Sequence, residues 1–159
     1  MFRTFDESRP QEITAAPRLH ARSRTSCSER LVRWAELLEQ HGDGEVELLT
    51  GTEHASLASR TSLRRDLSPV SVAFADPQFR AQGLAGDSYG DAYDFFGLSH
   101  ERLHGIVCYC HYRSSRILPT EVADRVRDVA TRAQWVDRML GGIGLQGTRM
   151  GVWLTKALV

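Results

Sequence analysis

Apolar side chains recur along residues 27–41 at the spacing of one helix face. Leu31, Trp34, Ala35 and Leu38 point one way, while Glu29, Arg33, Glu36 and Gln40 mostly point the other. Ser26-Cys27-Ser28-Glu29 opens the run as a capping box, in which the Ser26 hydroxyl and the Glu29 carboxylate each satisfy a backbone N–H that the first turn leaves over. Gly42 stands where a helix closes in the left-handed conformation. A second stripe, Val122, Val126, Val129, Ala133, Val136 and Leu140, predicts the longest helix over about 121–139. Thr120 is its expected N-cap, with Glu121 and Asp124 near the positive end of the dipole.

Between these two helices the pattern breaks into shorter pieces. Residues 45–49 are apolar enough for a short element of either type. Residues 50–68 are polar and rich in Ser and Thr, and read as a loop with a short helix at 63–67. The run 69–74 alternates Val70, Val72 and Phe74; with no partner strands evident, it reads as a lone extended segment packed on helices. Asp76-Pro77 supplies an N-cap and a first helical residue for a helix to about Gly83. A short helix over 92–96 stops at Gly97, Ser99 caps a further helix over 100–111, and 113–116 is a polar turn.

The two ends differ from this core. Residues 1–24 show no sustained periodicity and carry Pro10, Pro17 and several arginines, so they form an irregular arm, with the helical domain at 25–159. The apolar, Gly-spaced run after Gly142 either packs back on the domain or docks into a partner groove. The expected fold is all-α, a single domain of five or six short-to-medium helices behind an irregular N-terminal arm.

Composition narrows the function classes. A chain of 159 residues can build a core without disulfide staples, and 42% hydrophobic with 25% charged residues argues against wholesale disorder. A formal net charge of zero removes the general electrostatic argument for a nucleic-acid partner. There is no apolar run of about 18 residues, so no membrane span is expected. The N-terminus lacks an apolar leader segment and holds Asp6, Glu7 and Glu12, which speaks against secretory and organelle targeting. Three cysteines cannot all pair internally, so the reducing cytoplasm is the expected compartment.

Candidate chemistry is concentrated in 89–112, which gathers three of the six histidines, two of the three cysteines and all four tyrosines. If 100–111 is one helix, Leu103, Ile106, Val107 and Cys110 share an apolar face. His100, His104, Cys108 and His111 then fall in a stripe roughly 80° wide beside it. Such a stripe suggests a zinc or iron site, with a limit: His100 and Cys108 would be about 12 Å apart along the axis, so one ion reaches only two of the four. The usable pairs are His100/His104, His104/Cys108 and Cys108/His111. Further ligands would come from Cys27, His20, His41, His54, a carboxylate or a partner chain. The plainer reading treats the cysteines as small core residues and the histidines as boundary residues.

Other signatures fail. Asp87, Asp91 and Asp94 lack calcium-loop spacing, because Leu98 stands where the terminal glutamate belongs. Thr50-Gly51-Thr52 lacks the ending of a phosphate loop, and no catalytic triad is identifiable. The leading expectation is therefore a small cytoplasmic non-catalytic helical protein. It would act through protein–protein contacts, in a regulatory or adaptor-like role, with a protein partner or as a homo-oligomer. The alternative is a metal-binding or thiol-redox protein with its site on the helix at 100–111, using His100, His104, Cys108 and His111.

Overall fold

Helices α1 (Cys27–Gln40) and α7 (Pro119–Gly142) make the most extensive contact of any two elements in the computed structural model, which describes residues 25–52 and 55–142. Leu31, Trp34, Ala35 and Leu38 from α1 meet Val122, Val126, Val129, Ala133 and Val136 from α7, as the two stripes predict; all are buried. Ala123 and Ala130 of α7 are buried too. The capping box of α1 is formed: the Glu29 N–H donates to Ser26 Oγ at 3.2 Å, and the Ser26 N–H donates to Glu29 Oε2 at 2.7 Å. Gly42 follows with φ +83°.

Trp34 joins this pair to the middle of the chain. Its indole stacks on Phe96 at 4.4 Å between centroids, and Nε1 donates to the Pro69 carbonyl at 2.9 Å. Phe79 meets Phe95 and Phe96 edge-on. These rings bring together α3 (Pro69–Ala75), α4 (Pro77–Gln82) and α5 (Tyr89–Phe96). The cap at Asp76-Pro77 and the left-handed Gly83 delimit α4 as expected. A Ser88/Asp91 capping box starts α5, a turn earlier than its apolar pattern suggested, and occupies Asp91 as a cap.

Three local expectations are corrected. The segment 69–74 is helical, not extended: Ser68 Oγ accepts from the Ser71 N–H at 3.1 Å and Pro69 fills the first turn. Six residues were too few for the alternation of Val70, Val72 and Phe74 to outweigh that start signal. The short helix of the polar loop is α2 (Leu57–Thr61), capped by Ser56, rather than 63–67. Residues 63–67 stay irregular, with Leu67 at φ +60°, and their carbonyls serve other elements: Leu67 accepts from Glu47 and Leu63 from Tyr89. Finally, α7 begins at Pro119, so Thr120 lies inside it and is not its cap.

Strands β1 (Val46–Glu47) and β2 (Arg116–Ile117) pair antiparallel, Val46 opposite Ile117 and Glu47 opposite Arg116. The expected polar turn at 113–116 thus runs into a strand. Glu47 holds the ladder with two guanidiniums, those of Arg116 and Arg65. Among the described residues helix dominates all the same, at 63% against 5% strand, with five of their seven α-helices seven residues or longer. The fold is mostly helical, as its periodicity predicts. None of these helices is long and apolar enough to cross a membrane. The N-terminal arm, His20, His54 and the apolar run from residue 143 lie outside the described residues.

Candidate metal centre

Helix α6 (His100–Val107) ends four residues short of the expected 111, and the ending creates the site. Ser99 caps its start as expected, accepting from the Arg102 N–H. At the other end Cys108 is extended, at φ −102° and ψ 136°. It lies in a parallel bridge with Leu49, the residue that continues β1: Leu49 N–H donates to Val107 O, and Tyr109 N–H donates to Leu49 O, each at 2.9 Å.

A helix end leaves four carbonyls without a helical donor to follow. Here each has a partner. The His104 carbonyl accepts from the Cys108 N–H at 3.0 Å, and the Gly105 carbonyl from the Arg125 guanidinium at 3.0 Å. The Ile106 carbonyl takes the Tyr112 hydroxyl at 2.7 Å, and Val107 takes Leu49 as above. Burial raises the Tyr112 phenol pKa against the opposing pull of Arg125, so the hydroxyl stays a neutral donor. After Cys108 the chain makes one 3-10 turn, Tyr109–His111, and doubles back over the end of α6.

The reversal regroups the candidate ligands. His104 Nδ1 lies 2.9 Å from His111 Nε2, with the rings at 88°, and Cys110 Sγ lies 3.9 Å from His104 Nδ1. One donor atom from each of the three falls within 4.8 Å of the others. In a continuous helix His104 and His111 would be separated by about 10.5 Å of rise. The stripe expected on one helix is therefore not the arrangement found.

Of the four residues read from sequence, the structure brings together His104 and His111. His100 stands a turn away and stacks on Tyr93, 3.9 Å between centroids at 9°. Cys108, placed in the ligand stripe by helical arithmetic, is 0% exposed in the core, because the bridge to Leu49 turns it inward. Cys110, placed on the apolar face by the same arithmetic, is exposed and completes the trio. Of the more distant candidates, the Cys27 thiol donates to the Phe96 carbonyl at 2.9 Å, and His41 caps the C-terminus of α1. The sequence did contain a hint: Ile106–Tyr112 is a β-branched, aromatic and cysteine-rich run that favours extended backbone over helix.

The donor spacing suits a small transition-metal ion. Zinc bonds of about 2.0 Å to nitrogen and 2.3 Å to sulfur, at tetrahedral angles, set donor separations of about 3.3–3.6 Å. The observed 2.9 and 3.9 Å lie on either side of that range and the third separation is at most 4.8 Å, so side-chain rotation would have to adjust the three donors around an ion. Two imidazoles and a thiolate favour zinc, copper or iron over magnesium or calcium, which take oxygen donors. Three protein donors leave a fourth position for water or another ligand. Cys110 and His111 also border an open groove of about 660 Å³, whose other walls include Arg113, Glu121 and Arg125.

No family model, no curated protein and no solved structure matches the chain.

Proposed function

We propose that the protein binds one transition-metal ion, zinc in the first instance, through His104 Nδ1, Cys110 Sγ and His111 Nε2. The convergence of these three donor atoms within 4.8 Å carries the reading. The donor set revises the sequence expectation: Cys110 takes the place of Cys108, and His100 has no part in it. Neither Cys110 nor the other two cysteines is in a disulfide, which accords with a reducing cytoplasm, where a thiolate ligand persists. The ion takes thiolate and neutral imidazole, so its affinity weakens as pH falls and protons compete. Iron is the secondary candidate, and elemental analysis distinguishes the two.

The test is metal content after purification without chelator or affinity metal, followed by zinc reconstitution under reducing conditions. The expected result is about one zinc per chain in the wild type and none in a His104→Ala/His111→Ala protein. A wild type that holds no metal after reconstitution, or a double variant that keeps it, ends the proposal.

A second reading, an adaptor-like protein acting on a protein partner or a second copy of itself, draws on one observation. Trp135 and Met139, four apart on α7, are each 56% exposed, a pairing of large apolar side chains unusual on a solvated helix face. Sedimentation of the wild type against Trp135→Ala/Met139→Ala tests self-association. Identical monomeric behaviour of both proteins at high concentration removes the homo-oligomer.

A further inference from the structure

We infer that Arg125 is the positioning residue of the metal centre, holding the ligand-bearing turn in its binding geometry without touching the ion; the inference rests on the metal reading above. The guanidinium donates through Nη1 to the Gly105 carbonyl and through Nη2 to the His111 carbonyl. Gly105 directly follows one ligand, and His111 is another. The same group lies 3.9 Å over the ring of Tyr112, whose hydroxyl secures the Ile106 carbonyl. One side chain therefore fastens the end of α6, beside His104, to the returning turn at His111.

The arrangement needs arginine. A planar fork with five N–H donors can reach two carbonyls and still stack on a ring, whereas a lysine ammonium offers a point charge with no plane. A permanently protonated guanidinium is not itself a ligand. Arg125 is in turn fixed by its own helix, because Val122 and Val126 beside it are buried against α1. Without the clamp the ion must order the turn as it binds, and affinity falls by the ordering cost while the donor atoms stay the same.

Cobalt(II) serves as the probe, titrated into the full chain under reducing conditions and followed by its visible and charge-transfer absorption. Four proteins are compared: wild type, Arg125→Met, Arg125→Lys and Arg127→Met. The last removes an exposed α7 arginine that pairs with Glu39 of α1, away from the turn. Arg125→Met should need roughly 10–100 times more cobalt for half-saturation, the range typical of lost outer-shell partners, and reach the wild-type spectrum at saturation. Arg125→Lys should fall between, and Arg127→Met should match the wild type. Equal affinity in Arg125→Met and wild type overturns the inference alone. An equal loss in Arg127→Met also overturns it, by tracing the effect to general weakening of α7. A wild type that takes up no cobalt removes the metal reading and the inference together. Should Arg125→Met fail to fold, the comparison of Arg125→Lys with Arg127→Met decides in the same way.

Discussion

Replacing Cys110 and Cys108 by serine, one at a time, distinguishes the doubled-back turn from the continuous helix. Cys110 is exposed, so Cys110→Ser should change stability by no more than about 0.5 kcal/mol. In the proposed site it removes a direct sulfur ligand, however, and should cost more than the roughly 10–100-fold seen when an outer-shell partner is lost. A hundredfold loss corresponds to about 2.7 kcal/mol of binding. Cys108 is 0% exposed and surrounded by core, so Cys108→Ser places a hydroxyl in an apolar setting at a cost of about 1–3 kcal/mol. For a chain of this length that lowers Tm by about 2–4 °C per kcal/mol. The assay pairs thermal melting of the metal-free proteins with the sulfur-to-cobalt charge-transfer band at saturating cobalt. The band should vanish in Cys110→Ser and persist in the less stable Cys108→Ser. The opposite pattern is what a helix pairing His104 with Cys108 would produce, and it would refute the geometry on which the site is built.

Other perturbations test the frame that holds the turn. Trp34→Ala should cost about 3–5 kcal/mol in urea unfolding, and Trp34→Phe about 1–3 kcal/mol, since it keeps a ring against Phe96 but leaves the Pro69 carbonyl without its donor. A loss under about 1 kcal/mol for the alanine variant would contradict a central role for this indole. Gly90→Ala should destabilise despite alanine's better helix propensity, because the new Cβ would lie 2.9 Å from the Thr61 carbonyl oxygen. Gly105→Ala meets nothing within 4 Å and should gain up to about 1 kcal/mol, so a melting experiment that ranks the two the other way counts against the α2–α5 packing. Burial, with Cys108 adding to it, pushes the Tyr89 phenol from 10.0 up to about 12. Its neutral form is therefore favoured in the folded state; the contribution is complete below pH 10 and is lost as pH rises through about 12. Two pH units correspond to about 2–3 kcal/mol, and Tyr112 shifts in the same direction. Urea midpoints between pH 8 and 12 should fall accordingly, less steeply in Tyr89→Phe; a flat profile would contradict the assignment.

Much of the helical frame was legible because its signals are local. Ser26 with Glu29, Asp76 with Pro77, and Gly42, Gly83 and Gly97 mark ends that the chain observes. The α1 and α7 stripes are long enough for a period of 3.6 to be unmistakable. The run 69–74 was not, since six residues of mixed Val, Ala and Phe fit either period and only the Ser-Pro start decides. Two-residue strands such as β1 and β2 leave no periodic trace at all. The end of α6 was hidden for a different reason. No glycine, proline or polar cap stands at 107–109, and the helix stops because Leu49, far upstream, takes up the Val107 carbonyl and the Tyr109 N–H. Helical arithmetic therefore exchanged the roles of the two cysteines. His104 and His111 were recoverable as residue types, whereas their pairing with Cys110 depended on a tertiary contact.

The break in α6 also explains why the site belongs to the whole fold rather than to the 89–112 segment. Ending a helix early forfeits backbone bonds, and a short 3-10 turn supplies few in return. Here they are offset from three directions: Leu49 from the continuation of β1, Tyr112 from the returning chain and Arg125 from α7. Each contributor has its own anchorage, since β1 is paired to β2 and α7 is packed along α1. The 2.9 Å approach of His104 to His111 thus exists only while the sheet pair and the long helix are in place. An ion bound there must favour the folded chain over the unfolded one, by about 2.7 kcal/mol when present at a hundred times its dissociation constant. Linkage of that kind would tie occupancy of the proposed site to the α1–α7 packing itself, so substitutions well removed from the three donors should act on the site through the contacts that place Leu49 and Arg125.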